Sequence, residues 1–334
     1  MYEKLGMRVV KSGEEVELGV VTGPDAEWSP RLVPFLSHKG GEWVSQIRKS
    51  IDLDLSPLVT KFFILFKTPD DILSNICTWR WGGVANLGHV FTTPNHRRKG
   101  AASILMKASM DDFRNNAGRA MYLGTGYDTP PFHIYEEAGF RGVYPRTGFM
   151  EYYSGKREDF LAEEFAGEKA GVVDMTWRHW PRLVPLFGQE LGGVLRFPGE
   201  GVNGRANFEG PFIPIMHSLE ETHKKCLVLE GLKTGASGGA AIIGPDRRFA
   251  GSANLLDVFF HPNFAKSAAG LVEAAIEGVQ GTVVSYVDTS YDERIKVLKK
   301  AGFKKAGTIP EGVTAPGGMP EEGRKFDIVI MARK

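Results

Sequence analysis

The chain has 334 residues, of which 42% are hydrophobic and 24% are charged, a composition typical of a globular protein large enough for two domains. Its 41 lysine and arginine residues nearly balance 40 aspartate and glutamate residues, so a formal charge of +1 predicts no overall attraction to nucleic acid or to an anionic membrane. The apolar runs are too short to span a bilayer and no secretion signal is recognisable, so we expect a cytoplasmic protein.

The two cysteines, Cys77 and Cys226, lie far apart in the sequence. Neither belongs to a Cys-x-x-Cys pattern or has a histidine at a spacing typical of a metal site. The sequence therefore predicts no disulfide framework and no metal, and it favours buried structural thiols.

The most informative segment is residues 92–102, where a strand-like run is followed by a basic loop, residues 97–100, and then by apolar residues at helical spacing. Backbone N–H groups at a helix start have no partner within the helix, and the helix dipole adds partial positive charge. The small residues Gly100 and Ala102 would let a diphosphate approach the main chain closely. The phosphate oxygens would also accept hydrogen bonds from three cationic side chains, Arg97, Arg98 and Lys99.

The pattern Arg97-x-x-Gly100-x-Ala102 resembles the pyrophosphate-binding loop of the GNAT superfamily of N-acyltransferases. A second segment, residues 135–140, resembles the Y-x-x-x-G-F ending of that superfamily's other cofactor segment. The resemblance implies an α/β fold with a mixed sheet that is splayed where the cofactor enters, and acetyl-CoA or CoA as co-substrate. The cofactor-binding residues expected from it are Phe91, Thr92, Arg97, Arg98, Lys99, Gly100, Ala101 and Ala102.

Short segments recur in the same order in the two halves of the chain. The matched pairs are residues 19–21 with 171–173, 30–36 with 181–187, 90–95 with 258–263, and 138–140 with 301–303. A drift in their offset indicates an insertion, for which the glycine-rich stretch 188–210 is the expected place. We therefore predict two tandem GNAT-like folds, with a catalytic domain at 1–155, a linker helix at 156–168 and a second domain at 169–334.

The two predicted copies differ at their chemically important positions. Counting from the shared Pro-Asn pair, Arg97, Arg98 and Gly100 correspond to Ala265, Lys266 and Ala268, and counting back from the shared Gly-Phe pair, Tyr135 corresponds to Leu298. The second copy has lost cations, the glycine and the phenol, so it is predicted to be degenerate and the first copy to be active. The oligomeric state stays open, although two packed copies could form a monomer with pseudo-dimeric halves.

Acyl transfer from a thioester to an amine requires a neutral amine, stabilisation of the oxyanion and a proton for the departing thiolate. A phenol has a pKa of about 10, so Tyr135 would be protonated at neutral pH and is the predicted general acid. In the family that the chain resembles, this tyrosine lies beside the CoA sulfur. Backbone N–H groups near Phe91 and Thr92 are the expected oxyanion donors.

His89 is the predicted general base, because it precedes Phe91 on the same strand and has an intrinsic pKa close to neutrality. A purely structural histidine is an equally good interpretation, and Asp128 is the alternative base, although its setting is typical of a turn. His96 could reach a phosphate, and Trp79 could line an acceptor pocket.

The leading functional hypothesis is an acetyl-CoA-dependent N-acetyltransferase acting on a small-molecule or peptide amine. Two alternatives remain open: a CoA or acyl-CoA sensor without turnover, and an aminoacyl transferase of the Fem type. The Fem-type reading expects a lost pyrophosphate loop and a basic groove, whereas this chain keeps the loop and is nearly neutral.

Overall fold

The computed structural model describes residues 1–221, 224–249 and 251–334. They form two compact units, Met1–Lys156 and Arg157–Lys334, and each unit is built on its own mixed sheet flanked by helices. The mixed α/β class predicted from the sequence is therefore confirmed. Among the described residues, no helix combines the length and hydrophobicity needed to cross a bilayer.

The first unit contains eight strands and four α-helices in its described residues. In chain order they are β1 (Tyr2–Val9), β2 (Glu15–Thr22), α1 (Ser29–Phe35), α2 (Gly41–Asp52), β3 (Val59–Phe66), β4 (Ile72–Trp81), β5 (Val84–Thr92), α3 (Ala101–Asn115), β6 (Ala120–Gly124), α4 (Pro130–Glu137), β7 (Arg141–Gly142) and β8 (Phe149–Tyr153).

The strand order in this sheet is β1-β2-β3-β4-β5-β6-β8-β7. Only β5 and β6 pair in parallel, and α3 is the crossover helix between them, as a parallel connection requires. The apolar stripe of α3 includes Leu105, Met106, Met110 and Phe113 and belongs to one buried core with residues of the central strands. The start of α3 is therefore held at the edge of the β5–β6 pair.

The sheet opens between β5 and β6. The two strands pair at only three positions, the last being Asn86 with Tyr122, although β5 continues to Thr92. A β-bulge distorts β5 just beyond that point, because one extra residue is inserted around His89, whose φ is 49°. The splayed sheet expected from the family resemblance is thus present in the first unit.

The second unit contains nine strands and five α-helices in its described residues. They are α5 (Arg157–Glu164), β9 (Ala170–Asp174), α6 (Trp180–Gly188), β10 (Leu195–Phe197), β11 (Val202–Asn203), α7 (Glu209–Glu221), β12 (Lys225–Gly231), β13 (Ser237–Pro245), β14 (Asn254–Phe260), α8 (Ala265–Ile276), β15 (Val283–Asp288), α9 (Asp292–Lys300), β16 (Lys304–Thr314) and β17 (Lys325–Arg333).

The main sheet of this unit has the order β9-β12-β13-β14-β15-β17-β16. That order matches β2-β3-β4-β5-β6-β8-β7 of the first unit, and the parallel pair, β14 with β15, occupies the same place. Its two strands pair at only two positions, so this sheet also opens. The helix expected to link the domains, α5, belongs to the second unit, where Phe160 and Glu164 are buried.

A segment of the second unit, residues 192–199, lies in the opening between β14 and β15. The N–H of Leu195 donates to Oδ2 of Asp288 at the end of β15, at 2.7 Å. The N–H of Gly199 donates to Oδ2 of Asp257 in β14, also at 2.7 Å. The segment falls in the stretch 188–210 that the sequence singled out as an insertion, and it is fixed to both strands that border the opening.

Candidate functional site

The opening of the first sheet leads into a cleft of about 710 Å³. The end of β5, the start of α3 and the start of α4 form its walls. The structure brings eight of the ten predicted site residues together in its lining: Phe91, Thr92, Arg97, Arg98, Gly100, Ala101, Ala102 and Tyr135. His89 and Lys99 are the two that do not line it.

The basic loop ends in a backbone conformation that favours glycine. Gly100 has a φ of 82° in the left-handed region and is the residue immediately before α3. The first N–H groups of α3, beginning with Ala101, have no helical acceptor, and Ala101 and Ala102 border the cleft. Unpaired backbone N–H donors and the positive end of the α3 dipole therefore lie at one end of the cleft, which we call the anion-binding end. Such an arrangement binds anions.

The two arginines of the basic loop are exposed at the mouth of the cleft. Nε of Arg97 donates to the carbonyl oxygen of Thr92 at 3.1 Å, which ties the side chain to the end of β5. In the part of the chain that the structure describes, the Nη groups of Arg97 have no protein acceptor. They remain available to an anion with the planar geometry that suits phosphate oxygens.

Lys99 does not line the cleft, but its backbone contacts a residue that does. Its carbonyl oxygen accepts a hydrogen bond from the N–H of Lys11 at 2.9 Å, and Lys11 itself lines the cleft. The sequence pattern did not indicate Lys11, because no local pattern links the β1–β2 turn to a loop almost ninety residues later. It also missed the α4 contribution of Pro130, Ile134 and Glu137.

Tyr135 lies on α4 with its side chain packed against the core. It is 6% exposed, and its ring meets that of Phe140 at a centroid distance of 6.1 Å in an edge-on arrangement. The same residue lines the cleft. A packed ring that reaches the cleft wall holds its hydroxyl group in a fixed place, which a positioned proton donor requires.

The end of β5 presents the N–H of Thr92 to the opening. The N–H of Thr93 bonds to the carbonyl of Leu73 in β4, and Phe91 is the next residue paired with β4 in that register. Because hydrogen-bonding residues alternate along an antiparallel pair, the N–H of Thr92 faces the opposite edge, toward β6. Of the two expected oxyanion donors, Thr92 is thus free of the β4 ladder, whereas Phe91 is part of it.

His89 does not have the surroundings of a general base. It is buried, its Nε2 lies 2.8 Å from Oε1 of Gln46, and its ring meets Trp43 and Trp79 edge-on. Burial, reinforced by the charge of Lys39, lowers the pKa of His89 to about 3. A group with that pKa hardly accepts a proton at neutral pH, so these surroundings favour the structural interpretation of His89, at the bulge, over the general base predicted from the sequence.

The low pKa of His89 predicts a loss of stability in acid. Unfolded histidine has a pKa of about 6.5, so below that pH the unfolded chain binds a proton that the folded chain does not. The free energy of unfolding should therefore fall by about 2 kcal/mol between pH 6.5 and 5 from this group alone. Replacing His89 with asparagine, which is neutral and tolerates a positive φ, should remove that part of the pH dependence. Denaturant unfolding at both pH values measures it, and equal pH slopes for variant and wild type would contradict the assignment.

The remaining candidates from the sequence have structural partners. Asp128 is 3.1 Å from Nε2 of His133 in an exposed pair. His96 lines the cleft, with Nδ1 2.9 Å from the hydroxyl of Thr93. Trp79 is buried and donates to the hydroxyl of Ser50 at 2.9 Å, so it is a core residue and not part of an acceptor pocket.

Comparisons with known proteins relate the segment that carries this cleft to one family. Residues 60–140 match the model of the acetyltransferase (GNAT) family, a range that runs from β3 past the end of α4. A search of curated proteins gave no match.

Solved structures of acetyltransferases resemble about half of the chain. A GNAT superfamily phosphinothricin acetyltransferase from Sinorhizobium meliloti, in complex with AcCoA, is 13% identical over 49% of this chain and 87% of its own, with a TM-score of 0.40. A ribosomal-protein-alanine N-acetyltransferase from Brucella melitensis is 19% identical over 49% and 98%, with a TM-score of 0.37. A spermidine N-acetyltransferase from Vibrio cholerae, in complex with CoA and spermine, is 9% identical over 49% and 94%, with a TM-score of 0.37. The part of the chain that is similar to the GNAT family model, residues 60–140, includes the basic loop and Tyr135.

Proposed function

We propose that the first unit transfers the acetyl group of acetyl-CoA to the primary amine of a small-molecule or peptide acceptor. The observation that carries this proposal is the single cleft that joins the start of α3, the two arginines of the basic loop and Tyr135. A thioester that carries a diphosphate needs an anion-binding site for the diphosphate and a proton donor for the departing sulfur, and this cleft contains candidates for both.

The residues present fit coenzyme A. Its diphosphate would lie against Gly100 and the N–H groups of Ala101 and Ala102, with Arg97 and Arg98 as cationic donors. The thioester supplies an activated acyl group. Among the described residues no cluster of metal-binding side chains occurs, and the proposal assigns no role to a metal.

Two groups of the chain, the N–H of Thr92 and the hydroxyl of Tyr135, would assist the acyl transfer. The N–H of Thr92, which faces the opening, would stabilise negative charge on the carbonyl oxygen. The hydroxyl of Tyr135 would give its proton to the departing sulfur, because a phenol with a pKa of about 10 is protonated at neutral pH and a thiol has a pKa of about 8.5. His89 takes no part. The acceptor amine would react in its neutral form, and the proton that its nitrogen loses on forming the amide would pass through water to the Tyr135 phenolate, which restores the phenol.

For the second unit we propose a degenerate copy of the same fold, so that the chain is a tandem pair with its boundary near residues 156–168. The matching strand order supports common ancestry. Loss of function is supported by Ala265 and Leu298 at the positions of Arg97 and Tyr135, and by residues 192–199, which lie in the opening of the second sheet.

Calorimetry with CoA tests the binding half of the proposal. Replacing Arg97 with alanine should weaken CoA binding about 10- to 100-fold, because charge-assisted hydrogen bonds to phosphate are lost. Arg31→Ala is a matched control, since Arg31 lies outside the cleft and pairs with Asp70 at 2.9 Å. Absence of any heat with the wild-type protein would refute CoA binding.

Mass spectrometry of a metabolite extract incubated with acetyl-CoA and the purified protein tests the chemical half. An acetylated amine that depends on Tyr135 supports the transferase. Tight CoA binding without any acetylated amine or CoA release would instead favour the sensor hypothesis.

A further inference from the structure

The turn between β1 and β2, residues 10–14, lies against the basic loop. The N–H of Lys11 donates to the carbonyl oxygen of Lys99 at 2.9 Å. The side chain of Lys11 passes over Gly100, since its Cγ, Cδ and Cε atoms are 3.5 to 3.8 Å from the place that a β-carbon on this glycine would occupy. Lys11 also lines the cleft. The turn therefore forms a third side of the anion-binding end.

Contacts on both sides hold this turn in place. The side chain of Glu14 is paired with Lys67, which follows β3, and lies 3.7 Å from Nε2 of His96 in the turn before the basic loop. The hydrogen bond from Lys67 is the main reason that the pKa of Glu14 is lowered. Val10 is buried in the core of the first unit. Lys11 therefore lies in a turn whose position is fixed by the contacts of Glu14 and Val10 on either side of it.

Among the described residues, Lys11 itself has no partner carboxylate within ion-pair distance, although Glu14 of the same turn faces Lys67 and His96 and also feels the charge of Lys99. The neighbouring cleft residues Arg97 and Arg98 are also cationic. Three cations gathered at one end of a cleft repel one another, and an anion bound between them removes that repulsion. Glu137, which lines the cleft from α4, forms no ion pair with Lys11.

We propose that Lys11 is a diphosphate-binding residue, so that the β1–β2 hairpin completes the coenzyme A site from outside the family-matched segment 60–140. The inference rests on the proposed function and extends it to a residue that neither the family match nor the loop motif includes. Because a lysine ammonium is a point charge on a flexible stem, it can contact either phosphate without a fixed geometry.

Calorimetry with three ligands tests this role. Lys11→Gln should raise the dissociation constants of CoA and of dephospho-CoA by the same factor, about 5- to 20-fold at low salt and less at high salt. Its affinity for pantetheine, which lacks the diphosphate, should equal that of the wild type. An effect on CoA alone would assign Lys11 to the 3′-phosphate and overturn the proposal, as would no effect at all.

Two further variants separate charge from structure. Lys4→Gln removes a lysine from β1 of the same hairpin that is already paired with Glu17 at 2.6 Å, and it should leave CoA affinity unchanged. Lys11→Arg keeps the charge and should keep most of the affinity. Failure of the wild-type protein to bind CoA would refute the proposed function itself, whereas normal binding by Lys11→Gln would refute only this inference.

Discussion

Replacing Tyr135 with phenylalanine is expected to lower the turnover number about 10²- to 10⁴-fold, the usual loss when a positioned proton donor is removed. The change deletes one hydroxyl group, and the ring can keep its packing against Phe140, so the dissociation constant of CoA should stay nearly unchanged. Steady-state kinetics with an identified amine and calorimetry with CoA measure the two quantities separately.

The control for this variant is Tyr127→Phe. Tyr127 is 50% exposed, packs on Phe132 and does not belong to the cleft lining, so its hydroxyl group should be dispensable. A thioester with a more acidic leaving thiol should restore part of the rate of Tyr135→Phe, because that thiolate departs without a proton. If Tyr135→Phe turned over at the wild-type rate, Tyr135 would not be the general acid.

Local patterns explain which parts of this site the sequence could predict. The spacing of Arg97 and Gly100 is a short-range requirement, since the glycine must adopt a φ of 82° just before a helix begins. The prediction of Tyr135 also rests on a short pattern, since it lies five residues before Phe140, and the structure places it in the cleft lining. Both features depend on residues that are close together in the chain.

The features that the sequence did not predict depend on distant contacts. The pKa of His89 is set by burial under α2, whose Gln46 lies 43 residues earlier in the chain. Lys11 reaches the basic loop only because the β1–β2 hairpin folds back on it. The insertion predicted in the second half rests on a drift in offset and on glycine content, and neither signal indicates that residues 192–199 contact Asp257 and Asp288.

Replacing Glu164 with glutamine should destabilise the second unit by about 3–5 kcal/mol. Its two carboxylate oxygens accept three hydrogen bonds of 2.7 to 3.0 Å from the guanidinium group of Arg182, and both side chains are at most 1% exposed. Glutamine keeps the shape but removes the charge, so a buried cation loses its counterion. Denaturant unfolding of the variant measures the cost.

The double variant Glu164→Leu with Arg182→Met is the control for this prediction. It removes both charges and fills a similar volume with apolar groups, so it should recover most of the stability that the single variant loses. Unchanged stability of Glu164→Gln would show that the carboxylate charge is not needed.

Under the proposed tandem arrangement, residues 192–199 would make a loss of function in the second unit hard to reverse. A substituted side chain can revert by a single mutation. Here the opening is occupied by main chain, whose N–H groups are hydrogen-bonded to carboxylates on two neighbouring strands. The substitutions Ala265→Arg and Leu298→Tyr would supply the side chains found at Arg97 and Tyr135 of the first unit, but they would not remove the backbone of residues 192–199 from the opening. An open cleft between β14 and β15 would require this stretch of backbone to follow a different path.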